Sequence, residues 1–324
     1  MKPRSCLAAG ATCVALLAQG PALAYPLDLS DETGITRLEA YRLGQLGRER
    51  AGGELLPKGA LLPASEVRLS LVDRPDFTIP PPDPELGAEL RRALGADARF
   101  YSLALLDFTD PAHPRYAGVN PDHAQLPGSV GKILVALALF QALADLYPSD
   151  LDARRRILRE TQVTADGFIR VDDHDVPFWK PGDPRVEKRP IREGDVANLW
   201  TWLDWMISSS SNAAGSEVMS QLVLLRRFGR EYPVPEAQGA AYFAKTPKPE
   251  LTRIFLKAML DPVGQNGLDR RRLQQGSFFT REGKARIPGT GSTATAGELL
   301  HYLVRMEQGK LVDPFSSLEI KRLL

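Results

Sequence analysis

Beyond residue 24 the 324-residue sequence has no cysteine, since Cys6 and Cys13 both lie in the first 24 positions. Disulfides, thiolate nucleophiles and cysteine metal sites are thereby excluded from everything downstream, which must be held by its core alone. A charge excess is missing too. With 41 basic and 40 acidic side chains the net charge is +1, which gives no broad field for nucleic acid or an anionic membrane. The short runs Arg154–Arg156 and Arg270–Arg272 read as solvated helix faces or turns. A nucleotide-binding loop is lacking as well, because Pro288-Gly289-Thr290-Gly291-Ser292-Thr293 has neither a G-K-[ST] ending nor a preceding strand. Asp172-Asp173-His174-Asp175 invites a metal reading, but consecutive loop residues seldom point at one centre, so a solvated acidic loop is expected. No metal and no cofactor are predicted.

What is present begins with an export signal. Lys2 and Arg4 supply a charged start, Leu7–Ala18 is mostly small and apolar, and Ala22-Leu23-Ala24 offers a small-x-small cleavage site. Residues 1–24 are therefore predicted to be removed, leaving a periplasmic or extracellular protein that begins at Tyr25. A hydrophobic content of 43% is an ordinary supply for a packed core.

Residues 25–83 read as an N-terminal extension and linker. Ile35, Leu38, Tyr41 and Leu46 mark a short amphipathic helix, and Ile79–Pro84 (IPPPDP) a stiff extended boundary. The main domain is predicted over 84–324. Asp83 and Pro84 cap and open a helix that ends near Gly95; Arg99–Asp107 and Tyr116–Val119 form a hairpin around an Asp-Pro and His-Pro turn. A helix over Asp150–Glu160 precedes a long polar connection, Val163–Glu193, broken by four prolines and read as a rim or flap. Helical period returns over Gly194–Ile207, where Trp202, Trp205 and Met206 form a core stripe, and again over Ala213–Arg227, Leu251–Leu260 and Asp313–Leu324. Thr295 and Glu298 are spaced as a capping box before Leu299, Leu300, Leu303 and Met306.

The chain is organised around Gln125–Tyr147. Pro127-Gly128 turns the backbone, and Ser129 then precedes Lys132 by three residues, one helical turn away on the same face. Ile133–Phe140 has no polar residue. Burying an ammonium beside such a run drives it toward the neutral amine, the form able to take a proton from a serine. Backbone N–H groups at the helix start add a place for an oxyanion beside Ser129. The plainer alternative is that Ser129 only caps the helix while Lys132 extends its head to water.

Three stretches in order, QLPGSVGK at Gln125–Lys132, MISSSSNAA at Met206–Ala214 and TATAGELLHYL at Thr293–Leu303, resemble the penicillin-recognising serine hydrolases, namely class A β-lactamases and D-alanyl-D-alanine peptidases. The resemblance runs from about Pro84 to Leu324. It implies an α/β fold, with an antiparallel sheet beside a helical region and the nucleophile helix buried between them. It also implies roles: Ser129 as acylated nucleophile, Lys132 as its proton acceptor, Ser210 as proton relay toward the leaving group, and Asn212 as the group that binds the substrate amide. The substrate would be a small molecule or peptide of the cell-wall peptide or β-lactam class.

Two features depart from that family. Its K-[ST]-G element should come after the Thr293 helix and the helix after it, but Lys245-Thr246-Pro247 is misplaced and ends in proline. A chain incomplete at its C-terminus is the expectation, and a binding or scaffold protein that kept the fold without turnover is the alternative. Glu217, Glu231, Glu236, Glu250 and Glu282 are all present, yet none begins the Glu-x-x-x-Asn element that positions a deacylating water. Fast β-lactam hydrolysis is therefore not expected, since an acyl-enzyme without a water activator can persist; a peptidase, esterase or amidase-like hydrolase is the expectation.

Overall fold

The computed structural model describes residues 25–47 and 61–324. The predicted signal segment, with Cys6 and Cys13, lies outside them. The described chain is mixed α/β, with four small antiparallel two-stranded sheets set among helices.

It starts with two helices, α1 (Ser30–Thr33) and α2 (Thr36–Gln45). Tyr25, Leu29, Ile35 and Leu38 are buried in the same core as Ile133–Phe140. Of the predicted stripe, Ile35 and Leu38 pack into this core, Tyr41 joins a smaller cluster with Trp179 and Val186, and Leu46 is exposed; Arg37 is buried with them. Its guanidinium and the Asp204 carboxylate form a bidentate pair in which each side chain is only 1% exposed.

Asp83 caps α3 (Pro84–Leu94) by accepting from the Glu85 and Leu86 amides, as the Asp-Pro start predicts. Asp83, near the end of the predicted linker, also contacts the hairpin. The Asp83 N–H donates to Tyr116 O at 2.7 Å and its carboxylate receives Arg115 Nε at 2.6 Å, which fastens it to the hairpin. That hairpin is β1 (Leu103–Asp107) and β2 (Arg115–Val119), with Leu103 opposite Val119. Two strands alone are marginal in water. Here β2 packs on α3 and β1 on the helix after Thr295.

The helix α4 (Lys132–Leu146) has twelve buried residues out of fifteen, so nearly its whole circumference is core. The stretch from Gly128 to Leu146 is long and apolar enough to cross a membrane by composition alone. Burial by neighbouring helices accounts for that character.

Next come α5 (Leu151–Glu160), β3 (Gln162–Thr164), β4 (Asp175–Phe178), β5 (Glu187–Pro190) and β6 (Val196–Asn198), with β3 paired to β6 and β4 to β5. The polar connection is bordered by the β3/β6 pair and contains the β4/β5 pair, with turns and irregular backbone between them. The helix predicted from Gly194 begins later, as α6 (Leu199–Ser208), because Val196 and Ala197 pair with β3 and Asn198 caps the helix through the Thr201 amide. Arg154 also departs from its predicted solvated face. It is 1% exposed, with Nε and Nη2 donating to the carbonyls of Tyr147 and Pro148 and Nη1 to Asp313.

The rest comprises α7 (Asn212–Phe228), α8 (Glu236–Lys245), α9 (Lys248–Gln265), β7 (Leu273–Gln274), α10 (Arg281–Arg286), β8 (Thr293–Ala294), α11 (Ala296–Glu307) and α12 (Pro314–Leu323). Helices α6, α7, α9 and α12 all pack on α4. Trp202, Trp205 and Met206 are buried there, so the aromatic stripe is core. Only half of the predicted capping box forms: Thr295 Oγ1 accepts from the Glu298 amide at 3.1 Å, whereas the Glu298 carboxylate turns to the Asp269 amide at 2.9 Å.

Glu217, on α7, is a buried carboxyl that no core of this kind tolerates as an anion. Burial, then the Asp166 charge, pushes it up to about 8, partly offset by hydrogen bonds from Ser220 and Gln221. The folded protein keeps this group protonated where the unfolded chain ionises it. Stability is therefore lost as pH rises from about 4.5 to about 8. Glu217→Gln is expected to leave Tm unchanged at pH 4 and to raise it by several degrees at pH 8, measured by thermal melts at both values.

Candidate active site

Ser129 stands on a single 3-10 turn, Gly128–Gly131, that runs directly into α4. Gly128 has φ +54°, a left-handed conformation open to glycine at little cost. A Cβ at Gly131 would displace the Gln275 side-chain amide that packs against it. The approach to the turn is pinned by main-chain bonds in both directions between Gln125 and Ala294, at 3.0 and 2.8 Å. Ser129 is left exposed, beside the exposed side chains of Leu126 and Val130. Lys132, one turn on, points inward and is 1% exposed.

The opposite wall is the break between α6 and α7. Ser210 adopts φ +56°, which costs an L-residue about 1–2 kcal/mol and ends α6 abruptly. Ser211 then reverses the chain: its amide donates to Trp205 O at 3.2 Å and its Oγ caps α7 through the Ala214 amide at 3.1 Å. This tight reversal delivers Ser210 and Asn212 to one point.

That point is Lys132 Nζ. It lies 3.0 Å from Ser129 Oγ, 2.6 Å from the Ser210 carbonyl, 3.3 Å from Ser210 Oγ and 2.9 Å from Asn212 Oδ1. The four residues singled out in the sequence therefore converge, although Lys132 and Ser210 are 78 positions apart. The Phe279 ring closes the remaining side, its centroid 4.9 Å from Nζ. Burial pulls the lysine down to about 8 against the opposing pull of the Asp172 carboxylate.

Asp172 and Phe279 carry no distinguishing signal in the sequence. Asp172, expected to be solvated with its neighbours, has a side chain that is 3% exposed, while that of Asp173 is fully exposed. It accepts from Ser211 Oγ at 2.9 Å, from the Ala213 amide at 2.8 Å, and lies 2.5 Å from His174 Nδ1. Burial pushes its carboxyl up, but the Ala213, His174 and Ser211 bonds outweigh that and hold it below the usual carboxylate range. Asp172, Asp173 and His174 also bring potential ligand atoms within 4.8 Å of one another. Both Asp172 oxygens are already engaged, so the donor set suits a helix cap better than a cation. The one clue in the sequence is indirect: a serine run ending in a helix N-terminus leaves amides that need an acceptor.

No family model matches the chain, and no curated protein matches it. Among solved structures the chain is similar to a PBP-A mutant described as an acyl-enzyme complex with penicillin G, at 13% identity and TM-score 0.42, covering 75% of this chain and 69% of that one. It is also similar to PBP-A itself, at 15% identity and TM-score 0.40, covering 74% and 68%. Overlap at this level is too slight to bear on the chemistry, which rests on the geometry around Lys132.

Proposed function

We propose that the protein is an exported serine hydrolase of the penicillin-recognising type, acting by acyl transfer from an amide or ester through Ser129. The observation that carries this reading is the hydrogen-bond arithmetic at Lys132. Two of its neighbours, Ser210 O and Asn212 Oδ1, are carbonyl oxygens that can only accept. A neutral amine has two hydrogens, which those oxygens consume, and one lone pair, which is left for a hydroxyl. Ser129 Oγ, at 3.0 Å, is placed to donate to it.

In the proposed step the Ser129 hydroxyl proton passes to Lys132 as Oγ bonds to the substrate carbonyl carbon. The bond from that carbon to the leaving nitrogen or oxygen then breaks, and the leaving group takes its proton back from Lys132 by way of Ser210 Oγ, 3.3 Å from Nζ. The Val130 amide already donates to Pro127 O at 3.1 Å, so the Ser129 N–H is the donor proposed for the developing oxyanion. Asn212 keeps its Nδ2 donor for a substrate carbonyl. Phe279, an apolar group, fills the space beside Lys132, which fits an acyl-enzyme that persists.

Intact-mass measurement after exposure to a fluorescent penicillin and to a fluorophosphonate tests the reading. Wild type is expected to gain one label, and Ser129→Ala none. If neither probe labels wild type, or if the alanine variant labels equally, Ser129 is not a functional nucleophile; a binding or scaffold protein that kept the fold is then the alternative reading.

A further inference from the structure

We infer that Asp172 is a positioning residue: by clamping the two residues on either side of Asn212, it makes the segment between β3 and β4 a structural part of the site. The inference rests on the hydrolase reading only for its effect on rate.

Asp172 Oδ2 receives Ser211 Oγ at 2.9 Å and the Ala213 amide at 2.8 Å. Those donors immediately flank Asn212, and Ser211 comes directly after Ser210, whose φ of +56° is unfavourable for serine. A residue held in that conformation needs its surroundings to fix it. Ser211 supplies one restraint through Trp205 O, and the carboxylate supplies the other from a different part of the chain. His174, 2.5 Å from Oδ1, occupies the second oxygen and keeps the carboxylate from rotating away from the turn. Asp172 touches neither Ser129 nor Lys132 and is buried, so it acts through Ser210 and Asn212. Its charge reaches Lys132 as well, because a nearby anion favours the ammonium. Besides Asp172, the ionisable groups of this segment near the turn are His174 and Asp173, the latter fully exposed.

The test compares Asp172→Asn, Asp172→Ala and the surface control Asp173→Asn in three measurements. Phosphonylation of Ser129 by a fluorophosphonate, with loss of fluoride, should slow about 100-fold in Asp172→Ala, the scale of a misplaced catalytic group, and stay unchanged in Asp173→Asn. The Lys132 titration midpoint, monitored by NMR at its Cε, should move down in Asp172→Asn, since removing the anion favours the neutral amine. A role confined to stability would leave that midpoint in place. Exchange of the Ala213 amide should accelerate in Asp172→Ala. Asp172→Asn keeps the size and one acceptor oxygen, so it reports even if the alanine variant unfolds. An unmoved midpoint in Asp172→Asn, or unchanged Ala213 exchange in a folded Asp172→Ala, overturns the inference. If wild type takes up no label, the hydrolase reading falls, and the midpoint and exchange measurements still decide the role of Asp172.

Discussion

Lys132→Ala is expected to slow acylation of Ser129 by about 100- to 10,000-fold, the usual contribution of a positioned proton acceptor, and Lys132→Arg is expected to be as slow. The arginine variant separates two explanations. A guanidinium keeps the positive charge and the donors to Ser210 O and Asn212 Oδ1 but is never deprotonated in proteins. If charge alone were needed, arginine would rescue. If the lone pair is needed, it cannot. The wild-type rate should rise with pH through a midpoint near 8, where burial leaves the lysine, because only the neutral amine accepts a proton. Stopped-flow labelling across pH 6 to 10 reads both effects. The stability linkage has the same origin. Between about 8 and 10.5 the unfolded chain holds a proton that the folded one has released, so the contribution of Lys132 to stability grows with pH across that window.

Breaking the Arg37–Asp204 pair should have the largest effect on folding. Arg37→Ala strands a carboxylate that is 1% exposed, and loss of one partner from a buried pair costs about 3–5 kcal/mol. Chemical denaturation should show that loss as a lowered midpoint. The double variant Arg37→Met/Asp204→Leu is expected to recover most of it, because an apolar pair of similar size has no desolvation penalty to offset. Arg37 Nη1 has no hydrogen-bond partner among the described residues, which makes the native pair less than ideal and favours that recovery. The consequence extends to the site. Asp204 lies on α6, where its carbonyl accepts from Ser208 Oγ at 2.6 Å, two residues before Ser210. A chain that loses Arg37 should therefore label more slowly as well as unfold sooner.

Local rules explain what the sequence disclosed. Ser129 and Lys132 meet because three residues make about one helical turn. Asp83-Pro84 opens a helix and Asp-Pro with His-Pro turns a hairpin because those residues act on their own backbone neighbours. Ser210 and Asn212 are legible only as a motif, since nothing local aims them at a lysine 78 to 80 positions away. Where expectation and structure part, the partner is distant. Arg154 looks like a surface arginine until Asp313, 159 residues on, joins the carbonyls of Tyr147 and Pro148 around it. Arg37 meets Asp204 across 167 residues. Asp172 is indistinguishable from Asp173 until α7 presents Ala213 and Ser211 to it. The strands β3 and β6 have three residues each, too few for an alternating pattern to emerge.

The pairing of Gln125 with Ala294 has a bearing on how this site can change over evolutionary time. Both bonds that hold the approach to Ser129 run between peptide groups, and every amino acid except proline carries the same N–H and C=O. The exposed side chain of Gln125 can therefore drift without loosening the approach to Ser129, whereas Ala294, buried in the core, is also held to a small residue by its packing. Proline at either position would delete a donor. The anchor of Ser129 is thus encoded in part by the absence of proline from positions 125 and 294.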